Sequence, residues 1–145
     1  MSTVPADENT VELSIPAVPE WLALARTTGA AVASRWQFTY DEIADLRLAI
    51  DELCLTLIGP GGAERLDLAY SLDGSAIVVR GTVQPAAEVG TADTANGSPA
   101  TAPGFTEASE LSERILDALV DDHGSEANGS GHSAWLRKER SVAVT

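Results

Sequence analysis

The chain has 145 residues, 44% of them hydrophobic, so its length and composition predict one domain with a packed core. Nine basic residues against 22 acidic ones give a formal net charge of −13, and such a surface repels nucleic acid and anionic membranes. The charge favours a partner protein with a basic surface, although acidity can also serve only to keep a protein in solution.

Three features of the sequence predict a cytoplasmic protein. No apolar run reaches the roughly 18 residues of a membrane-spanning helix. Residues 1–10 have neither the basic nor the apolar region of a secretory signal. Cys54 is the single cysteine, which excludes an internal disulfide bond and a zinc site built from cysteines.

The N-terminal part of the chain predicts a strand and a helix. Residues 1–10 are polar, and we expect them to be disordered. Residues 11–15 (VELSI) alternate between apolar and polar, which is the period of a half-buried strand. A helix starting near Pro19 and reaching about Ser34 should follow, weakened by about 1 kcal/mol at Gly29. The residues available for burial on this helix are Trp21, Leu22, Leu24, Ala25, Ala31 and Val32.

The longest helical pattern runs from Thr39 to Ile58, and we expect this helix to be the core of the domain. Thr39 and Glu42 have the spacing of a capping box, and the glycines at 59–62 end the helix. One face carries apolar residues at helical spacing, namely Ile43, Leu46, Ile50, Leu53 and Leu57. We expect a more than half-buried helix because that face is widened by Leu48, Cys54 and Leu55.

A hairpin and a long loop are predicted next. Residues 66–71 alternate as a strand does, Asp73-Gly74 is typical of a two-residue hairpin turn, and residues 76–83 form the returning strand. Residues 85–104 contain no aromatic residue, no lysine and no arginine. Such a segment buries too little apolar surface to offset its ordering entropy, so we expect a mobile loop.

The remaining pattern predicts a helix at 105–120, a flexible turn at 124–131 and a last strand at 133–139. The element order suits an α/β two-layer sandwich, with a mixed, mostly antiparallel sheet and the helices on one face. We expect a single domain over residues 11–140, followed by a tail at 141–145.

Catalytic and metal-binding patterns are scarce. His123 and His132 lie in surroundings rich in glycine and serine, where surface histidines are the usual interpretation, so we expect no metal site. No glycine-rich phosphate loop is present. Asp51 and Glu52 are adjacent and therefore point about 100° apart on a helix, so they do not form an acid–base pair by themselves.

Three segments of the chain resemble those of a known family. The strand VELSI (11–15), the segment LALAR (22–26) and above all ADLRLAIDELCLTLI (44–58) resemble anti-sigma regulatory factors with a histidine-kinase-like ATPase fold. The resemblance is closest to actinobacterial anti-sigma factors that control stress-response and sporulation-type sigma factors, and it covers roughly residues 11–140. The long helix is its specific part, and the rest agrees mainly in order and spacing.

The resemblance implies a nucleotide site on the long helix. In active members a glutamate acts there as general base, and an asparagine four residues later holds magnesium on ATP. Glu52 stands at the glutamate position, whereas Thr56 stands at the asparagine position, and its hydroxyl is a poor magnesium ligand.

Two further motifs of the family are also altered. In VVRGTVQP, Gly81 occupies the position of the aspartate that reads adenine, and Val83 and Pro85 occupy glycine positions. At the start of the last helix, Glu110 and Ser112 occupy the Gly-x-Gly positions that receive the phosphates. A carboxylate beside a triphosphate adds repulsion of about 1–4 kcal/mol at 4 Å. No cofactor is therefore expected, and Glu52 would be a remnant of the general base.

The resemblance also implies a partner surface, because family members use an arginine of the first helix, matched here by Arg26, to contact a sigma factor. We therefore expect an anti-sigma factor-like regulator that sequesters a sigma factor, is released by a STAS-type anti-anti-sigma factor, and lacks kinase activity. A homodimer is also compatible with the family. One alternative is an active serine-protein kinase that uses ATP and magnesium to phosphorylate the anti-anti-sigma factor. Another is a module that binds a small ligand in the former ATP pocket beneath residues 85–104.

Overall fold

The computed structural model describes four stretches of the chain, residues 9–59, 63–84, 103–128 and 131–141. The expectations of a disordered start and a C-terminal tail fall almost wholly outside them. The loop predicted at 85–104 also lies outside the described residues, except for its last two positions. These two residues, 103 and 104, belong to a helix, so that end of the predicted loop was wrong.

Five strands form one sheet, in the order β1-β2-β3-β5-β4, and every neighbouring pair is antiparallel. The strands are β1 (Thr10–Pro16), β2 (Arg65–Asp73), β3 (Ala76–Gln84), β4 (Asp122–Asn128) and β5 (Gly131–Glu139). The helices are α1 (Leu22–Arg35), which follows a 3-10 turn at Pro19–Trp21, then α2 (Tyr40–Ile58) and α3 (Pro103–Leu119). The predicted α/β class is confirmed, but no parallel pair occurs among the described strands, so the mixed sheet was wrong.

The core lies between the sheet and α2. On β2, Leu66, Leu68 and Tyr70 are buried and their neighbours are more exposed, as the alternation predicts. The buried face of α2 packs against β3 and β5, and α1 and α3 pack on its two sides. This arrangement is compatible with the predicted two-layer sandwich. No helix in the described part of the chain is long and apolar enough to span a bilayer.

The two ends of α2 are formed as the sequence predicts. Thr39 accepts a hydrogen bond from the backbone of Glu42 at 3.1 Å, and the Glu42 carboxylate accepts one from the Thr39 backbone at 2.7 Å. Gly59 ends the helix with a φ of 61°, a conformation that strains residues with a Cβ atom.

The predicted width of the buried faces was wrong. Leu48 and Leu55 are 59% and 44% exposed, because they lie on the side of α2 opposite to Ile50. Trp21, just before α1, is 42% exposed, Leu24 of α1 is 40% exposed, and Ala31 is exposed as well. Helical spacing located both helices correctly but could not tell how far the neighbouring elements cover them.

Gly29 is a packing requirement, whereas the sequence analysis treated it as a weak point of α1. A Cβ atom built on Gly29 would lie 2.3 Å from Cδ1 of Ile50 and 3.3 Å from Cε2 of Tyr70. Both neighbours are fully buried. The missing side chain therefore lets α1 approach α2 closely.

Strand β4 replaces most of the flexible turn predicted at 124–131. Gly124 pairs with Trp135 across the β4–β5 ladder, and a Cβ atom on Gly124 would lie 2.9–3.0 Å from the indole ring. The glycine that suggested a turn is therefore a strand residue covered by an aromatic neighbour. The predicted last strand is confirmed and begins two residues earlier, at Gly131.

Glu42 also connects the start of α2 to the end of the described chain. Its second carboxylate oxygen accepts hydrogen bonds from the backbone N–H of Ser141, at 2.6 Å, and from the Ser141 hydroxyl. Partial burial acts to raise the pKa of Glu42, but the hydrogen bonds from Ser141 and Thr39 outweigh it, so the pKa lies below 4.5, its ordinary value.

We expect Gly29→Ala to lower the free energy of unfolding by about 1–3 kcal/mol, although alanine is the better helix former, because the new methyl group overpacks against Ile50. Ile50→Val removes the Cδ1 atom in question and should cost about 0.5–1.5 kcal/mol in the native background but less in the Gly29→Ala background. Urea denaturation of the two single variants and the double variant measures this coupling. Additive costs would contradict the close contact.

The lowered pKa of Glu42 predicts a pH-dependent contribution to stability. A carboxyl group whose pKa is lower in the folded state stabilises the fold above its unfolded value, and the contribution is lost as the pH falls through the folded value. Glu42→Gln should therefore be less stable than the native chain at pH 7, and the difference should shrink below pH 4.5. Thermal melts between pH 3 and 7 test this, with Asp41→Asn as the control in the same helical turn. An unchanged difference at low pH would contradict it.

Candidate functional site

The structure brings together three of the residues that the sequence analysis assigned to a former nucleotide site. Glu52 and Thr56 are one turn apart on α2 and face α3. Ser112 of α3 donates its hydroxyl hydrogen to the Glu52 carboxylate, and the Thr56 hydroxyl donates to Ser112 at 3.3 Å. Ser112, which the resemblance places at a phosphate contact, is thus hydrogen-bonded to Glu52, which it places at the general-base position.

Gly81 lies on β3 beneath α2 and is buried. A Cβ atom built on it would lie 2.6 Å from Cδ1 of Leu57 and 3.2 Å from Cδ2 of Leu68. An aspartate at this position would therefore need Leu57 to move. Two leucines occupy the space into which an adenine-reading carboxylate would project.

The other positions of the altered motifs do not join this cluster. Val83 is 2% exposed and belongs to the core. Glu110 is exposed and makes no hydrogen bond with Glu52 or Thr56. Pro85 lies outside the described residues.

Arg26 is held by a residue that the sequence analysis did not connect with it. Its guanidinium group lies 2.6 Å from the Asp51 carboxylate, and the two side chains are 33% and 34% exposed. An exposed ion pair of this kind contributes about 0–1 kcal/mol, so Arg26 stays available to an outside partner at little cost. The adjacent carboxylates contact different helices, Asp51 the helix α1 and Glu52 the helix α3. This agrees with the expectation that their side chains point about 100° apart.

The remaining reactive groups do not extend the site. Burial, with a smaller contribution from Asp51, raises the pKa of Cys54 to about 12, so its thiol stays protonated and unreactive at neutral pH. His123 lies 2.7 Å from Asp117 at the far end of α3, and His132 is exposed. Within the described ranges, no three His, Cys, Asp or Glu side chains are arranged to hold a metal ion.

A shallow groove of about 340 Å³ lies on the opposite face of the sheet. Its lining includes Glu12 and Ser14 of β1 and Asp67 of β2, which alternate with the buried residues of those strands. The groove is therefore separated from Glu52 by the thickness of the sheet and the helix layer. It does not correspond to the former nucleotide site.

The sequence analysis missed the Arg26–Asp51 pair and the exposure of Leu48 and Leu55. The seven-residue spacing of these leucines does place them on one stripe of α2, away from Ile50. That signal was present in the sequence. The ion pair had no comparable signal, because it joins residues 25 positions apart on two helices.

Part of the chain is similar to curated bacterial proteins. It is 44% identical over 48 residues to Serine-protein kinase RsbW from Bacillus subtilis, and equally so to the proteins of that name from Bacillus velezensis and Bacillus thuringiensis. The match covers 33% of this chain and 30% of each relative. No protein-family model matches the chain.

The bond between Ser112 and Glu52 predicts a measurable connection between α2 and α3. Ser112→Ala should lower the free energy of unfolding by about 1–2 kcal/mol, because it leaves a half-buried carboxylate without its donor. Ser34→Ala, at an exposed position of α1, controls for the better helix propensity of alanine. Chemical denaturation of both variants measures the difference. Equal stability of the two would show that the hydrogen bond contributes nothing.

Proposed function

We propose that this protein is an anti-sigma factor-like regulator that sequesters a sigma factor by protein–protein binding and has no kinase activity. A STAS-type anti-anti-sigma factor would release the sigma factor by competing for the regulator. On this proposal the scaffold is a histidine-kinase-like ATPase fold whose nucleotide site is no longer used.

The Glu52–Ser112–Thr56 cluster is the observation that carries the proposal. A general base must be free to accept a proton from its substrate, whereas Glu52 already accepts a hydrogen bond from Ser112. The residue at the magnesium position, Thr56, is bonded to the same serine. Leu57 covers Gly81, where an adenine contact would be needed. Three positions that nucleotide binding would use are thus already occupied by contacts within the chain itself.

Two further observations support a regulatory role. A third of the chain is similar to bacterial proteins named Serine-protein kinase RsbW, which supports the family resemblance. The net charge of −13 suits a partner whose surface is basic because it reads DNA, and opposite charges speed the encounter between two proteins.

Arg26 is the proposed partner contact. It lies on α1 at the surface, one-third exposed, and its guanidinium group is oriented by Asp51. An arginine held in place before binding loses less conformational entropy when it pairs with a partner carboxylate.

An active serine-protein kinase is the second candidate, favoured by the retained Glu52 and by the similarity to proteins named Serine-protein kinase RsbW. Incubation with labelled ATP, magnesium and the STAS protein distinguishes the two. Transfer of label to that protein would favour the kinase. Calorimetric titration with ATP and magnesium that shows no heat of binding, together with no transfer, would favour the sequestering regulator.

Co-purification from the native organism tests the proposed partners, and we expect a sigma factor and a STAS protein. With the purified sigma factor, Arg26→Ala should weaken binding about tenfold, a typical loss for an interface arginine. Asp51→Ala is the matched control, because it breaks the same ion pair but keeps the guanidinium group, and it should change the affinity less than about threefold. Equal losses in both variants would mean that the ion pair matters and the contact does not.

A further inference from the structure

Three leucines of α2 and α3 are exposed on the outer side of the helix layer, and nothing in the described structure covers them. Leu48 and Leu55 of α2 are 59% and 44% exposed, and Leu111 of α3 is 58% exposed. We call these three residues the leucine surface. A single exposed leucine is ordinary, but a group of three on adjacent helices needs a physical reason.

Two contacts place the three leucines at the same level of two neighbouring helices. Lys138 reaches both the Leu119 carbonyl oxygen, at 2.8 Å, and Asp45, at 3.9 Å, so the end of α3 lies near the beginning of α2. Ser112 is bonded to Glu52, farther along α2. The helices are therefore antiparallel, and Leu111, next to Ser112, lies beside the part of α2 between Leu48 and Leu55.

Carboxylates surround the leucine surface. Glu52 lies between Leu48 and Leu55 along the stripe, and Glu110 precedes Leu111. Asp45 and Asp51 flank the stripe on α2, where they pair with Lys138 and Arg26. Together α2 and α3 carry nine acidic residues, two arginines and no lysine. The apolar centre is therefore set within a field of negative charge.

This charge decides between possible occupants of the surface. A second copy of the chain would bring carboxylates against carboxylates, and an anionic lipid surface would be repelled. A helix with leucine-like residues on one face and lysine or arginine at its borders matches both the apolar centre and the acidic rim. We propose that the leucine surface binds a basic amphipathic helix of a partner protein.

The inference goes beyond the proposed function, because it concerns α2 and α3 and not the Arg26 contact. It holds whichever protein supplies the helix. Its test requires neither a sigma factor nor nucleotide, so failure of one proposal leaves the other standing.

A synthetic peptide of about 18 residues, built from leucine and lysine with leucines at i, i+3, i+4 and i+7, is the probe. The control peptide has the same composition in scrambled order, which keeps the charge and removes the apolar face. Fluorescence anisotropy with the full chain should give an affinity at least about tenfold higher for the amphipathic peptide. Amide chemical shifts should change along Leu48–Leu55 and around Leu111. Equal affinity for both peptides would overturn the proposal.

The triple variant Leu48→Gln, Leu55→Gln, Leu111→Gln should lose about tenfold or more in affinity for the amphipathic peptide, because it removes the apolar centre. Leu24→Gln is the matched control: it is 40% exposed on α1 and points away from Arg26, which faces α2. Its affinity should stay within about twofold. Far-ultraviolet circular dichroism checks that all variants fold.

Two further outcomes would overturn the proposal. The first is an unchanged affinity of the folded triple variant, which would place the peptide elsewhere on the acidic surface. The second is a native chain that self-associates in analytical ultracentrifugation, loses this association in the triple variant and ignores the peptide. That result would assign the leucine surface to a second copy.

Discussion

The packing of α2 between the sheet and its two neighbouring helices determines where every candidate functional group lies. Its buried face fills the core, and the contact of Ile50 with Gly29 and Tyr70 brings α1 close. A helix held on three sides can turn only its remaining stripe to solvent. The rotation of α2 about its own axis is therefore set by the core, and the positions of its polar residues follow from it.

Because the rotation is set, two adjacent carboxylates have separate surroundings. Asp51 faces α1 and orients Arg26, whereas Glu52 faces α3 and accepts the hydroxyl of Ser112. Both carboxylates therefore help to hold three helices in one arrangement, and the functional proposals concern surfaces.

The excess of negative charge affects which proteins these surfaces would attract. In the proposed function, the net charge of −13 attracts basic proteins over a long range, and contacts at Arg26 and the leucine surface decide which of them binds. In such a division of roles, charge governs how fast partners meet, and apolar contact governs how long they stay together. The proposed regulator would need both.

Local patterns in the sequence were sufficient for the helix bounds near Thr39 and Ile58 and for the alternating strands β1 to β3, whereas the grouping of Glu52, Thr56 and Ser112 came from the family resemblance. Caps, periodicity and turns depend on residues close in the chain, so they can be read from it. The sequence could not predict that Gly29 and Gly124 lie under Ile50 and Trp135, that Asp51 binds Arg26, or that Leu48 and Leu55 remain exposed. Each of these depends on which distant element covers a residue, and only the tertiary structure decides that.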